Sequence, residues 1–263
     1  MFSLLIPAGL SLSIMLSLLL IPKDPFYLLG PFLGVIVFVP TFMMIRRKVS
    51  DQVLPLFERA QKQAQAQNVD KAIESLQEAL AWSRWQLFLK AQVNTQIGAM
   101  HYAAGREKQA IEYLKGGYPK TSESHLLLSA VLSRQGDTAA AVQALERGIA
   151  FNKKSPILYN VLAWILNKAN QREAAIEVLN KGLKAMKSDP DTSENLQRLQ
   201  GEKKMTMTPF GQMWYMLKFE TPPGAVAQGQ AVRKGFRQPP KGGGKQLSKK
   251  EKKQRKKARK QKK

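Results

Sequence analysis

The stretch TAAAVQALERGIAFNKKSPILYNVLAWILNKANQREAAIEVLNKGL, residues 138–183, decides the fold. It contains twice the pattern of a small residue, then Ile or Val, two residues and Leu, once at Ala141-Val142 with Leu145 and again at Ala175-Ile176 with Leu179. Apolar residues three apart lie on one face of a helix, so each copy marks a helix that buries one side. Working outward, the same pattern stands at Ala110 and Ala72, giving separations of 38, 31 and 34 residues. A recurrence near that period is the mark of a repeat architecture. From Val53 to about Pro190 the chain reads as amphipathic helices of twelve to fifteen residues joined by short polar turns, with no stretch of period two. This region is all-α.

At these residues the sequence resembles the tetratricopeptide repeat family, whose helix-turn-helix unit keeps small residues where its two helices cross. The three small positions of the unit fall on Ala60, Ala72 and Ala79, on Gly98, Ala110 and Gly117, on Ser129, Ala141 and Gly148, and on Ala163, Ala175 and Gly182. All twelve are small. The apolar positions of the second helix fall on Ile73 and Leu76, Ile111 and Leu114, Val142 and Leu145, and Ile176 and Leu179. Small residues let paired helices approach closely, and stacked units bury a core that one unit alone could not build. The first repeat departs from the pattern with Arg59 and Gln63, and the second with Asn94, where large apolar residues are expected. The separation of 38 implies extra residues near Trp82–Phe88, and that of 31 a second helix cut short near Tyr118 and Pro119.

The resemblance implies a concave groove lined by the first helix of each unit, where extended peptides bind. In the fourth unit the groove positions are Ile157, Asn160, Trp164, Asn167 and Lys168, the last four on one helical face. Asn supplies a donor and an acceptor, Lys a charge and Trp an anchor, a set suited to a peptide. The third unit adds Glu123 and Arg134, and the second Thr95 and Tyr102. The alternative for Trp164 is packing against the following helix. Some family members grip acidic chaperone tails with Lys and Asn at the fifth and ninth positions. Here those positions read Phe57 and Gln61, Thr95 and Ala99, Leu126 and Ala130, Asn160 and Trp164, which does not reproduce that clamp.

Catalysis finds no support. The chain has no cysteine, hence no disulfide framework and no thiolate chemistry. Its two histidines, His101 and His125, occupy large packing positions of the second and third units, without a third ligand at metal-site spacing. No phosphate loop, nucleophile elbow or HExxH pair is present. No enzyme activity, metal or cofactor is expected.

The two ends differ in kind. Residues 2–21 and 26–45 are each twenty residues without a charge, long enough to cross a bilayer as helices. Pro22, Lys23, Asp24 and Pro25 form a breaker-rich turn, and Arg46, Arg47 and Lys48 follow the second segment. These features predict a transmembrane hairpin over residues 1–48, and the basic cluster puts the soluble region in the cytoplasm. Span length and the lack of cysteine favour a bacterial inner membrane. No ionisable residue interrupts either segment, so transport is not expected. The four repeats then occupy residues 53–189, a capping helix and apolar segment 190–220, and a disordered Lys/Arg-rich tail 221–263.

A capping helix is expected over Asp189–Lys204, with Pro190 and the pair Asp191 and Glu194 as its start signature. Beyond it, Phe210, Met213, Trp214 and Leu217 share a helical face, which either covers the end of the array or docks elsewhere. Residues 245–263 hold twelve Lys or Arg against one Glu. That run, with Lys249, Lys250, Lys252, Lys253, Arg255, Lys256, Lys257, Arg259 and Lys260 at its centre, suits anionic lipid headgroups or RNA phosphates. No aromatic residue occurs in 237–263 to stack on bases, so RNA binding would be sequence-tolerant. The sequence reading is therefore a membrane-anchored scaffold with a peptide groove; the alternative is a ribosome or RNA tether working through the tail. Oligomeric state is left open.

Overall fold

The computed structural model describes residues 2–19 and 29–221, and the tail expected at 221–263 lies outside the described residues but for its first residue. Eleven α-helices are found there: α1 Phe2–Leu19, α2 Leu29–Gln65, α3 Val69–Ala79, α4 Leu89–Ala103, α5 Glu107–Lys115, α6 Ser122–Arg134, α7 Thr138–Phe151, α8 Pro156–Lys168, α9 Arg172–Met186, α10 Pro190–Gln200 and α11 Gly211–Met216. The second half of α2 pairs with α3, α4 with α5, α6 with α7 and α8 with α9, and α10 lies against α8 and α9. These pairs form the expected α-solenoid within one compact unit, Met1–Phe219.

The small positions work as the sequence implies. Ala72, Ala79, Ala110, Ala141, Ala163 and Ala175 are wholly buried. Where the residue is glycine, even a methyl would collide: a Cβ at Gly98 would sit 2.7 Å from Leu114 Cγ, at Gly148 2.9 Å from His125 Cβ, and at Gly182 2.9 Å from Tyr159 Cγ. The last two glycines receive the bulky residue of the partner helix in the same unit. His125 is thus a packing residue, its Nε2 also 3.0 Å from the Pro119 carbonyl oxygen.

A second periodic device lies in the turns, where the sequence marks Gly105 and Gly136 as turn residues of repeats two and three. Each turn within a repeat places one residue in the left-handed region: Gln67 (φ 61°), Gly105 (φ 75°), Gly136 (φ 86°) and Asn170 (φ 59°). Glycine favours that conformation most and asparagine next, whereas Gln67 gives no such sign. The irregular spacings are also explained. After α3 the chain makes a 3-10 turn over Leu80–Arg84 before α4 begins, and α5 spans only nine residues. The departures in repeats one and two are paired polar groups: Ser75 donates to Gln63 (2.9 Å), Arg59 faces Glu78 (3.4 Å), and the Asn94 amide donates to the Gly116 carbonyl (3.3 Å).

Among the described residues no helix is long and apolar enough to cross a membrane. The predicted transmembrane hairpin is therefore not found as drawn from the sequence. The turn Pro22–Pro25 falls outside the described residues. The second segment does not end at Ile45; α2 runs on through Arg46, Arg47 and Lys48 to Gln65, so one helix joins the apolar region to the first repeat. The two N-terminal helices pack side by side. They expose many large apolar side chains, among them Leu5, Leu12, Phe32, Val35 and Met43.

At the other end, α10 runs from Pro190 to Gln200 within the expected Asp189–Lys204, and Asp189 is its capping residue. Its carboxylate accepts from the Thr192 N–H (2.8 Å) and hydroxyl (2.6 Å), satisfying a free amide of the first turn. The Arg172 guanidinium closes the far end by donating to the Leu199 carbonyl from Nε (2.9 Å).

Candidate functional site

The first helices of successive repeats touch one another directly, α4 with α6, α6 with α8 and α8 with α10, whereas the second helices do not pack together to a comparable extent. The first helices therefore form the inner layer of the curve, the concave side. On that layer lie Tyr102 near the end of α4, Arg134 at the end of α6, and Trp164 and Lys168 in the last turns of α8.

This face is occupied by the chain itself. After α10 the backbone turns back as Met205–Phe219, through a 3-10 turn at Thr208–Phe210 and the six-residue α11. Trp214 and Leu217 are wholly buried. The Trp214 ring meets Trp164 edge to face with centroids 5.1 Å apart, and Phe219 lies 4.6 Å from Trp164 and 5.4 Å from Trp214. Of the apolar stripe read from the sequence, Trp214 and Leu217 face inward and Phe210 is half-buried, while Met213 is exposed. The segment does not cover the end of the array, which α10 does; it lies across repeats two to four.

Arg134 is the polar hub of this face. Its Nη1 donates to the Tyr102 hydroxyl (2.9 Å) and to the Leu217 carbonyl (2.9 Å), and its Nε donates to Glu107 (2.9 Å). Its guanidinium carbon lies 5.0 Å from the centroid of the Tyr102 ring. Lys218 approaches the same ring at 5.0 Å and donates to the Tyr102 carbonyl at 3.4 Å. Burial pushes the Tyr102 phenol above its ordinary pKa, with the Arg134 hydrogen bond working in the opposite direction. Tyr102 is therefore a neutral donor and acceptor at physiological pH.

The residues predicted for the groove divide into three groups. Tyr102, Arg134 and Trp164 come together on the inner layer and hold the returning segment. Lys168 is exposed with its ammonium 4.5 Å from the Trp164 ring centroid, and Asn167 is half-buried beside it. Asn160 is a correction, since it is wholly buried and faces no groove. Its amide donates to the Pro156 carbonyl (2.9 Å) and the Thr192 hydroxyl (2.8 Å), and its oxygen accepts from Asn195 (2.9 Å). Asn195, also wholly buried, donates to the Thr206 carbonyl (2.9 Å) and accepts from the Thr206 N–H (2.7 Å). A polar ladder thus ties α8 through α10 to the start of the returning segment. Glu123, Thr95 and Ile157 complete the positions: Thr95 accepts from the Tyr118 N–H (2.8 Å), Ile157 is buried, and Glu123 is half-buried.

Sequence reasoning missed Asn195, Thr192 and Phe219. Asn195 sits one turn after the capping signature, where a polar residue reads as surface. Among the described residues no group of three or more His, Asp or Glu could hold a metal ion. His101 is buried with Nδ1 unpartnered and its ring stacked on Tyr113. Burial, then the Arg106 charge, holds its pKa below the ordinary value.

Comparison with known proteins agrees with this geometry in one region. Residues 132–199 match the family model for the tetratricopeptide repeat. The human protein O-mannosyl-transferase TMTC1 is 24% identical over 137 residues, 49% of this chain and 16% of that protein, so this chain spans a small part of its length. Among solved structures, a MamA protein superimposes over 72% of this chain and 98% of its own with 16% identity and a TM-score of 0.46. A thermophilic repeat protein from Thermus thermophilus covers 74% of this chain and 97% of its own, with 18% identity and a TM-score of 0.41.

Proposed function

We propose, from the premise that this solenoid consists of tetratricopeptide repeats, that the chain is a non-enzymatic scaffold whose inner layer receives an extended peptide segment of a protein partner. One observation carries the reading. The inner layer of repeats two to four is shaped to hold a chain, since Met205–Phe219 rests on it with a backbone carbonyl on Arg134 and aromatic rings on Trp164. The test is photo-crosslinking from position 168 in native membranes, followed by mass spectrometry, with Trp164→Ala and Arg134→Ala as controls. A partner that crosslinks to the parent protein and is lost from both variants is the expected result. Crosslinks unchanged by either variant would remove the groove reading.

The apolar N-terminus is the scaffold's mount. The support is compositional: two charge-free runs at 2–21 and 26–45, a basic cluster after them, and rows of exposed large apolar side chains on α1 and α2, a surface that seeks lipid or a partner. Alkaline carbonate extraction tests it, and release into the supernatant would argue against a bilayer-embedded mount. The cytoplasm is the side that the basic cluster favours. For the tail, twelve basic residues in 245–263 support contact with polyanions. Deleting them should weaken pelleting with anionic vesicles or with ribosomal RNA, and the two assays run separately tell the targets apart. RNA retention that depends on the tail and not on Trp164 would favour the tether reading.

A further inference from the structure

Met205–Phe219 differs in kind from the repeats it rests on. It is not needed as a lid, because α10 already closes the array and buries Leu199. Its contacts at Thr206 to Asn195 and at Leu217 to Arg134 pass through its own backbone, as those of a bound peptide do, and Lys218 adds a side-chain bond to the Tyr102 carbonyl. Met207, Trp214 and Leu217 are its buried side chains, while Met213 and Met216 are 41% and 38% exposed. Its helix of six residues is too short to be stable without the surface beneath it. The connection from α10 is an exposed stretch over 201–204 with no helix of its own.

The segment's one charged side chain sits on the same surface. The Lys218 ammonium lies 5.0 Å from the centroid of the Tyr102 ring and donates to the Tyr102 carbonyl at 3.4 Å. A cation over an aromatic face is attracted to it, so Lys218 adds to the hold of the segment.

We propose that Met205–Phe219 is a resident competitor of the groove, and that it gives way to a partner peptide carrying a large aromatic residue, an aliphatic residue three places on, and a basic residue directly after it. The aromatic residue replaces Trp214 on Trp164. The aliphatic residue replaces Leu217 and offers its carbonyl to Arg134. The basic residue takes the place of Lys218 on the Tyr102 ring. This inference rests on the groove reading above and adds to it the chemistry of the ligand and the form of its regulation.

The test uses the full chain in detergent micelles and two labelled synthetic peptides, residues 205–219 as they stand and the same peptide with Lys218→Glu. The variant Trp214→Ala frees the groove from its occupant. It should bind the parent peptide at least tenfold more tightly than the unaltered chain does, and the Lys218→Glu peptide more weakly than the parent peptide. Adding Trp164→Ala should abolish both. Equal binding by the unaltered chain and a folded Trp214→Ala variant, or no binding by the variant, overturns the proposal. Should that variant unfold, hydrogen exchange on the unaltered chain decides: amides of α11 should exchange at least tenfold faster than those of α8, and equal protection makes the segment part of the core. If the peptides fail while the crosslinked partner of position 168 still depends on Trp164, this inference alone falls. If both fail, the groove reading falls with it.

Discussion

Asn160→Ala separates two accounts of one residue. As a groove contact, Asn160 could be truncated with little effect on folding and a loss of ligand. In the structure it is wholly buried and makes hydrogen bonds of 2.9, 2.8 and 2.9 Å to Pro156, Thr192 and Asn195. A hydrogen bond in a folded protein is worth about 1 kcal/mol net, and a buried donor left unpaired costs about 1–3 kcal/mol. Truncation removes the partner of Asn195, which is also wholly buried, although Asn195 keeps its bonds to Thr206. The expected destabilisation is therefore about 2–4 kcal/mol. For an array of this size that corresponds to a fall in Tm of roughly 5–15 °C, read by far-UV circular dichroism in micelles. Asn160→Asp should not rescue it, because a carboxylate cannot donate to the Thr192 hydroxyl, whose proton is already committed to Asp189. A Tm within about 2 °C of the parent for Asn160→Ala would refute the reasoning.

The helix crossings give a second outcome. Gly148→Ala and Gly182→Ala raise helix propensity by about 1 kcal/mol, yet each new methyl meets a neighbouring ring residue at 2.9 Å, so both should lower Tm by overpacking. Gly211→Ala has open space but a φ of 52° with ψ at −132°, so backbone strain should loosen the returning segment and quicken exchange of α11 amides without altering α6 or α7. For His101 the folded pKa lies below the unfolded value near 6.5, so its contribution to stability is present above that pH and is lost as pH falls through the folded value. Denaturant midpoints taken from pH 7 to pH 5 should fall in the parent protein and fall less in His101→Gln.

Much of the fold was legible because its rules are local. A small residue at a helix crossing and apolar residues three apart are set by neighbours within a few positions, and Ala72, Ala110, Ala141 and Ala175 all sit where their spacing puts them. The turn conformation was partly legible: Gly105 and Gly136, and more weakly Asn170, are residue types that favour a left-handed residue, while Gln67 takes the same conformation without that preference. The apolar stripe around Trp214 announced that it must be buried but not against what. Helical periodicity fixes which residues share a face and carries no information about the surface that receives it.

The same limit accounts for Asn160 and Arg134, whose roles the groove positions inverted and preserved respectively. Both stand at positions that the resemblance in sequence assigns to the groove, and their surroundings differ through contacts formed far along the chain. Asn160 is claimed by residues 32 and 35 positions later, which seal it between α8 and α10. Arg134 is reached from 83 positions later by a backbone carbonyl, the one group that any sequence could supply. The first contact needs the particular side chains Thr192 and Asn195 and so belongs to the architecture of the cap. The second needs only an extended backbone over the guanidinium, and that indifference to sequence leaves Arg134 able to exchange the resident segment for another.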